Sequence, residues 1–246
     1  YSRDGNGWQA SCGKWQARGA IGQGPFVRAI SYDGIPLGRY NGMLQQFAGA
    51  NRWNEVNHVT DVKASASTMG LVLTFTGEFR PGEDDSAMGF RLVHRLVFPE
   101  GADHFAAQCL EAKNLGDVPL NLRALFFCLR GTIGGHVEGD VPADAVPRLW
   151  KAAPQNAWID EQANAFFGAA APLASQASIR FWLSKQGGQH PDAKFEYEAS
   201  IAPGRSFVPP APATVYGFAG RGKDWQQVAQ RVAARHDFHK VEKALP

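Results

Sequence analysis

Two short polar segments near the start of the chain carry side chains suited to a hydroxyl-rich ligand. The first is GRYNGM (38–43), in which Arg39, Tyr40 and Asn41 lie between glycines. Guanidinium and amide groups can hydrogen-bond to hydroxyls, and the Tyr40 ring offers a flat face. This pattern predicts a loop that binds a sugar, with Tyr40 as a candidate base. The alternative is an ordinary β-turn with exposed polar residues.

The second segment is NRWNEVNHV (51–59), which contains Trp53, Asn54 and His58. An indole ring can stack on a pyranose face, and the Asn54 amide can hydrogen-bond to sugar hydroxyls. The unperturbed pKa of histidine lies close to neutral pH, so His58 is a candidate general base for proton abstraction. The alternative for His58 is a purely structural role in a strand.

Three arginines form a third candidate group. Alternation along a strand places Arg91 and Arg95 on one side, and Arg123 follows two predicted strands later. Together they would form a basic strip that binds the carboxylate of a uronate through bidentate hydrogen bonds. The alternative is a solvated outer sheet face on which the arginines pair with carboxylates such as Glu111. His94, on the apolar side of its strand, is expected in the core.

A polar stretch in the middle of the chain holds His136, Asp140 and Asp144. His136 is a further candidate for binding a sugar. Three ligands from one loop, without a second cluster, make a weak zinc motif. We therefore expect no cofactor, with calcium at Asp140 and Asp144 as the alternative, because Ca²⁺ prefers oxygen ligands.

The elements that must position these residues are β-strands. Apolar and polar residues alternate with a period of two, most clearly over Met88–Phe98, and turn pairs such as Asp33-Gly34 separate the runs. The runs HFAAQCLEAKN and VPLNLRALFFCLRG flank the turn Leu115-Gly116-Asp117, which predicts a hairpin of adjacent antiparallel strands within Phe105–Gly131. Gly42–Asn54 shows no such pattern and is predicted to be irregular.

One helix is predicted, near the C-terminal end. Trp225, Val228, Ala229 and Val232 recur at helical spacing, and Asp224 is a suitable N-cap for a helix that begins at Trp225. We expect residues 222–246 to form this helix and a tail that leads towards another domain. Residues 1–246 show no internal repeat or low-complexity linker and are expected to form a single β-sandwich domain.

Composition narrows the class of protein. With 25 basic and 23 acidic residues, the chain lacks the basic excess typical of nucleic-acid binders. No apolar run approaches the ~20 residues that a membrane-spanning helix needs. The chain begins with Tyr1 rather than Met, which we interpret as a processed piece that has lost an export signal, and we expect a secreted or periplasmic protein. Cys12, Cys109 and Cys128 are expected to be free thiols.

Three stretches, in order along the chain, resemble the galactose mutarotase-like superfamily. They are GRYNGM (38–43), GDVPLNLRALFFCLRG (116–131) and LSKQGGQHPDAKFEYEASIAPGRSF (183–207). The first is similar to a sugar-contacting loop of that family. The second is similar to the hairpin that carries the catalytic His of aldose epimerases, and the third to their glutamate-bearing strand with a Pro-Asp-Ala loop. The resemblance implies a large antiparallel β-supersandwich.

The chain departs from the aldose epimerase pattern at both catalytic positions. The resemblance places Ala124 or Leu125 where the family has its His, and Ser184 or Lys185 where it has its Glu. Mutarotation needs one group at the ring oxygen and another at the anomeric hydroxyl. Because neither group is present, classical mutarotase activity is not expected. Any catalytic residues lie elsewhere on the scaffold, or the scaffold has none.

The sequence thus predicts an all-β, galactose mutarotase-like supersandwich that binds or processes a mono-, oligo- or polysaccharide, uronates included. If the protein is an enzyme, the expected reaction is proton abstraction at a sugar carbon, as in lyases or epimerases, with His58 or Tyr40 as base. The alternative is a non-catalytic carbohydrate-binding or structural domain of a larger enzyme. The main structural expectation is that Arg39, Trp53, His58, Arg91 and His136 converge on one groove.

Overall fold

The chain folds almost entirely into antiparallel strands. The structure is a computed structural model that describes residues 1–68, 70–83, 87–131, 136–138, 151–153, 155–172, 178–183, 189–210 and 213–234. In chain order its strands are β1 (Ser2–Asp4), β2 (Gly7–Cys12), β3 (Trp15–Ala20), β4 (Gly22–Gln23), β5 (Val27–Tyr32), β6 (Ile35–Phe47), β7 (Asn51–Glu55), β8 (His58–Ser67), β9 (Gly70–Phe79), β10 (Phe90–Pro99), β11 (His104–Asn114), β12 (Leu120–Gly131), β13 (His136–Glu138), β14 (Lys151–Ala153), β15 (Gln155–Asp160), β16 (Ala165–Ala170), β17 (Ser178–Leu183), β18 (Gln189–Ile201), β19 (Ser206–Phe207) and β20 (Ala213–Arg221). One helix follows, α1 (Trp225–Ala233).

The strands form two sheets, which confirms the predicted all-β class. Sheet A has the order β1-β2-β3-β5-β6-β12-β18-β17-β14, with β7 also paired to β6. Sheet B has the order β13-β15-β16-β20-β11-β10-β9-β8-β4, with β19 also paired to β11. The predicted turn at Asp33-Gly34 joins β5 to β6, and both residues have the positive φ that a two-residue hairpin turn requires.

The inner faces of the two sheets enclose an aromatic core. Trp15, Phe75, Phe105 and Phe127 are among its buried members, and the rings of Trp15 and Phe105 meet edge to face at 5.2 Å. Full burial of a large apolar side chain stabilises the fold by about 1.5–3 kcal/mol. Alternate residues of each strand fill this core, which explains the period of two in the sequence.

The helix covers part of the outer face of sheet B, the face turned away from the core. Trp225 and Val232 of α1 pack in one cluster with Phe166 of β16. The helix begins at Trp225, as predicted, but the side chain of Asp224 makes no capping hydrogen bond. No helix in the described ranges is long and apolar enough to cross a membrane.

The predicted hairpin between β11 and β12 is wrong, although both strands form. β11 pairs with β10 and β20 in sheet B, whereas β12 pairs with β6 and β18 in sheet A. The chain therefore crosses between the sheets at residues 115–119. Buried Asn114 anchors the crossing, because its Nδ2 donates to the carbonyl oxygens of Val118 (2.7 Å) and Ile201 (2.8 Å). The alternation of apolar and polar residues predicts a strand, but it does not show with which other strand it pairs.

Two further stretches predicted as irregular or loop are strands. Gly42–Asn54 contains the second half of β6 and most of β7, which pair from Phe47 opposite Asn51 onward. Residues 40–46 of β6 are all buried, and a strand covered on both faces shows no simple alternation. The Pro-Asp-Ala segment at 191–193 lies within β18 rather than in a loop.

The three cysteines are free thiols, as predicted. Cys109 belongs to β11 of sheet B and Cys128 to β12 of sheet A, and both are buried. Cys12 is partly buried, and its Sγ donates to the carbonyl oxygen of Phe98 at 3.2 Å. Burial raises the pKa of the Cys109 thiol to about 12, so this group stays protonated at neutral pH.

Candidate functional site

The structure distributes the predicted site residues over two sheets. Arg39 and Asn41 lie on β6 and Trp53 lies on β7, so all three belong to sheet A. His58 begins β8 and Arg91 lies on β10, so both belong to sheet B. The expectation that Arg39, Trp53, His58, Arg91 and His136 converge on one groove is therefore wrong, because Arg39 and Trp53 lie on a different sheet from the other three.

Tyr40 lies in the core, and GRYNGM is a strand rather than a loop. The Tyr40 side chain has no exposed surface, and its hydroxyl lies 2.6 Å from Nδ1 of His94, which is buried as predicted. Burial raises the pKa of the Tyr40 phenol well above its ordinary value. A sugar on the protein surface cannot reach this hydroxyl, so Tyr40 does not fit the role of a base.

The glycines of the same motif are explained by packing. A Cβ on Gly38 would lie 2.1 Å from the carbonyl oxygen of Arg130 on the neighbouring strand β12. A Cβ on Gly42 would lie 2.9 Å from the His94 ring. Neither position has room for a side chain, so the spacing of the two glycines reflects close approach inside the sandwich.

Asn41 belongs to a polar cluster that reaches the outer face of sheet A. Its Nδ2 donates to the carbonyl oxygen of Val56 (2.9 Å) and to Oε2 of Glu55 (3.2 Å). The other oxygen of Glu55 forms an ion pair with Arg130. The side chains of Glu55 and Arg130 keep 33% and 13% of their surface exposed, so the pair borders solvent in a fixed orientation. Arg39 is exposed and lies opposite Arg130 on the adjacent strand.

Next to this cluster, the outer face of sheet A forms an open depression of about 620 Å³. The residues that line it are Gln45, Phe47, Asn51, Arg123, Lys194, Glu196, Tyr197 and Glu198. Arg123 donates to Glu198 at 3.1 Å, and its guanidinium lies 5.6 Å from the centre of the Phe47 ring. Lys194 donates to Glu196 at 2.6 Å. The depression therefore holds two ion pairs whose charges cancel, together with two amide side chains.

Trp53 does not line this depression, but its cross-strand neighbour Gln45 does. Trp53 lies opposite Gln45 on the adjacent strand, and cross-strand neighbours share one face of a sheet. The Trp53 side chain is 49% exposed, so its ring is open to a ligand. Asn54 faces the other way, because Nε2 of the buried Gln46 donates to its Oδ1 at 3.5 Å. Of the two predicted neighbours, only Trp53 is placed to contact a ligand in the depression.

Ala124, one of the two positions that the sequence resemblance aligns with the epimerase His, lies on this face of sheet A. It lies opposite Gln45 of β6 and Glu196 of β18, both of which line the depression. Leu125, the other candidate, is a core residue. Of these two positions, only Ala124 lies on the face of the depression. Ser184 and Lys185, the candidates for the glutamate position, lie outside the described residues.

On the outer face of sheet B, Arg91 is held by a carboxylate. Its Nη2 donates to Oε1 of Glu78 at 2.9 Å, and Nη2 of Arg80 donates to Oε2 at 3.0 Å. Burial alone would raise the pKa of Glu78, but the hydrogen bonds from Arg91 and Arg80 outweigh it and hold the pKa below its ordinary value. His58 lies opposite Glu78 on β8. Both guanidinium groups of this cluster therefore share one carboxylate, and Arg91 already has an ion-pair partner.

The predicted arginine strip does not form. Arg95 donates to Oε1 of Gln108 at 2.8 Å on sheet B, whereas Arg123 lies on sheet A with Glu198. The alternative of an outer face with interstrand partners fits Arg91 better, although the carboxylate is Glu78 and not Glu111.

Of the three candidate residues in the middle of the chain, His136, Asp140 and Asp144, the structure describes only His136. His136 belongs to β13 in sheet B, opposite Ile159. Asp140 and Asp144 lie outside the described residues. Within the described residues, no group of three or more His, Cys, Asp or Glu side chains could hold a metal ion.

The residues that line the depression could not be found by local motifs. Arg123 and Glu198 are 75 residues apart, and so are Glu55 and Arg130. The signal that was available is the charged alternation KFEYE at 194–198, which places Lys194, Glu196 and Glu198 on one face of a strand.

Comparisons with known proteins concern the fold. No protein-family model matches the chain, and neither does any curated protein. Among solved structures, the Slr1438 protein from Synechocystis sp. PCC 6803 aligns with a TM-score of 0.55 and 13% identity, over 90% of this chain and 99% of its own.

Two further solved structures align over nearly their whole length. A putative aldose 1-epimerase from Escherichia coli K12 gives a TM-score of 0.50 and 11% identity, over 87% of this chain and 99% of its own. A galactose mutarotase-like protein from Lactobacillus casei ATCC 334 aligns with a TM-score of 0.52 and 8% identity, over 87% of this chain and 100% of its own. The fold of this chain is therefore that of the galactose mutarotase-like β-supersandwiches, as its collinear motifs predict.

Proposed function

We propose that the outer face of sheet A binds a saccharide in the depression beside Trp53. The observation that carries this proposal is the exposed Trp53 ring next to a depression whose side chains both donate and accept hydrogen bonds. Sugar hydroxyls need donors and acceptors together, and the pairs Arg123–Glu198 and Lys194–Glu196 present both within one site. The flat faces of Trp53 and Phe47 suit the apolar side of a pyranose ring.

Two further observations support this proposal, the first for a sugar as the ligand and the second for sheet A as its location. The solved structures that share this fold include a putative aldose 1-epimerase and a galactose mutarotase-like protein. On sheet B, Arg91 already forms an ion pair with Glu78, so a uronate carboxylate would have to compete with an existing partner. We therefore do not propose uronate recognition at Arg91 and Arg95.

Replacement of Trp53 tests this function. The native chain and the Trp53→Ala variant are compared on a glycan array, and affinities for the bound glycans are then measured by calorimetry. We expect the variant to lose about fivefold or more in affinity, since stacking on an aromatic ring contributes on the order of 1 kcal/mol or more. Val208→Ala, an exposed apolar residue after β19, is the matched control and should bind like the native chain. Equal affinity of Trp53→Ala and the native chain would show that the site lies elsewhere.

A second candidate function is proton abstraction from a bound sugar, as in lyases and epimerases. It is favoured by one observation, the Lys194–Glu196 pair opposite Ala124, which puts a carboxylate and an amine on the same face as the bound sugar. Glu196 is the candidate base, because a carboxylate can take a proton from a sugar carbon beside a carboxyl or carbonyl group.

This candidate is tested by incubating the bound glycans with the protein in D₂O and following deuterium incorporation and product formation by NMR. We expect any turnover to be abolished in Glu196→Gln. The His58→Ala variant separates the two candidate bases: loss of turnover in His58→Ala, with Glu196→Gln active, would move the chemistry to sheet B. Binding without turnover in the native chain would leave a non-catalytic sugar-binding domain.

A further inference from the structure

The outer face of sheet A carries a second polar depression, over its N-terminal strands. Two adjoining hollows of about 590 and 530 Å³ share Ser2, Gln9, Arg18 and Ala29. These four residues lie opposite one another on β1, β2, β3 and β5 and form one row across the sheet. The two hollows join along this row, and we call them together the N-terminal trough. Each has a volume typical of a small-molecule site.

Arg18 lines both hollows of the trough, and its charge is unpaired. Among the described residues that line the larger hollow, it is the only charged side chain. The Arg18 side chain is exposed, and no ion pair or hydrogen bond joins its guanidinium to another part of the described chain. Arg91 and Arg123, in contrast, each have a carboxylate partner. The planar guanidinium of Arg18 is therefore open to the carboxylate of a ligand.

Amide and hydroxyl groups flank Arg18 on the same face of the sheet. Gln9 lies opposite Arg18 on β2, and Gln16 precedes Arg18 by two positions on β3. The hydroxyl of Ser31 donates to Oε1 of Gln16 at 3.5 Å, which leaves Nε2 of Gln16 as a donor for a ligand. Side chains directly opposite each other on paired strands are ~5 Å apart. A ligand whose carboxylate contacts Arg18 can therefore place its hydroxyls against these two glutamines.

The charge of the trough distinguishes it from the depression beside Trp53. The charged side chains of the trough are two cations, Arg18 and Arg28, and one anion, Asp4, which leaves one positive charge in excess. Arg28 also donates to the carbonyl oxygen of Gln23 at 2.7 Å. In the depression each cation is paired with a carboxylate. A neutral sugar in the trough leaves Arg18 without a partner, whereas a sugar with one carboxylate neutralises its charge.

The trough and the depression are separate sites. Pro36 of β6 lines the trough, and Gln45 of β6 lines the depression. Asn41 and Met43 lie between these two residues on the same strand, and both are buried. A ligand in the trough therefore has no exposed path along β6 into the depression.

We infer that the N-terminal trough is a further binding site, for a sugar acid of the hexuronate type. The carboxylate of the sugar forms a bidentate pair with the guanidinium of Arg18, and its hydroxyls bond to Gln9 and Gln16. A phosphate monoester fits less well, because it carries about −1.5 to −2 charges at neutral pH, whereas the trough has an excess of one positive charge. This site goes beyond the proposed function, since it takes a charged ligand at a different place on the sheet.

Titration with matched charged and neutral sugars tests this inference. Glucuronate and galacturonate are compared with glucose and galactose by calorimetry at neutral pH. We expect each uronate to bind at least about tenfold more tightly than its neutral counterpart, because hydrogen bonds to charged groups are stronger than those between neutral groups. This preference should fall as the salt concentration rises.

Variants of two arginines assign the preference to the trough. In Arg18→Gln it should disappear, and Arg18→Lys should keep only part of it, because lysine retains the charge but not the planar fork. Arg3→Gln is the matched control and should keep the preference of the native chain. It removes the same charge from the exposed strand β1, but Arg3 lines neither hollow.

Several results would overturn the inference. They are an unchanged preference in Arg18→Gln, an equal loss in Arg3→Gln, absence of uronate binding, and tighter binding of glucose 6-phosphate than of the uronates. Loss of uronate binding in Trp53→Ala, with Arg18→Gln like the native chain, would also overturn it by placing the ligand in the depression. The binding of neutral glycans beside Trp53 is measured separately, so the proposed function and this inference can fail independently.

Discussion

The imidazole of His94 lies among aromatic rings in the centre of the sandwich. The ring centroids of Phe26 and Phe127 are each 5.1 Å from the centroid of the His94 ring, and the Tyr40 hydroxyl is hydrogen-bonded to Nδ1 of His94. Burial lowers the pKa of His94 from 6.5 to about 3. In the unfolded chain the same group titrates near its ordinary value, so between these two pKa values the unfolded state binds a proton that the folded state does not.

We therefore expect the burial of His94 to make the fold less stable at acidic pH. The stability that neutral, buried His94 contributes is fully present above pH 6.5. Below that pH the free energy of unfolding falls by about 1.4 kcal/mol per pH unit, until the folded-state pKa of about 3 is reached. In the Tyr40→Phe/His94→Phe variant the pH slope of the free energy of unfolding should be smaller by about one proton. Urea unfolding at a series of pH values measures the slope. His58→Ala, which changes a partly exposed histidine, is the control, and an equal reduction in both variants would contradict this account.

At the scale of elements, the crossing from β11 to β12 decides which strands share a sheet. It depends on Asn114, which is fully buried and uses both ends of its amide: Nδ2 donates to Val118 and Ile201, and Oδ1 accepts from the backbone N–H of Gly116 at 2.8 Å. The sequence predicts both strands and the turn residues between them. It does not reveal the crossing, because the partners of Asn114 include a residue 87 positions away.

Replacement of Asn114 tests this role. Asn114→Ala removes the side-chain partner of the carbonyls of Val118 and buried Ile201 and of the Gly116 N–H, and we expect a loss of about 1–3 kcal/mol in the free energy of unfolding. Asn121→Ala, an exposed asparagine on β12, should stay within about 0.5 kcal/mol of the native chain. Chemical denaturation of the two variants gives the comparison. Equal stability of the two would mean that other contacts hold the crossing.

At the scale of the whole molecule, the sequence predicts the fold far better than the site. Strand periodicity, the Asp33-Gly34 turn and the start of α1 at Trp225 are local patterns, and each is confirmed. The site depends on strand order instead. Gln45 and Phe47 share a depression with Lys194 only because β12 lies between β6 and β18, and no local sequence pattern predicts that strand order. For the same reason His58, although close to Trp53 in sequence, lies on the other sheet.

The central claim is that a saccharide binds on the outer face of sheet A. The most direct measurement is amide hydrogen exchange of the native chain with and without a glycan that binds. We predict increased protection in β7 and in the Lys194–Glu198 part of β18, which border the depression. Protection confined to β8, β9 and β10, around His58, Glu78 and Arg91, would contradict the account.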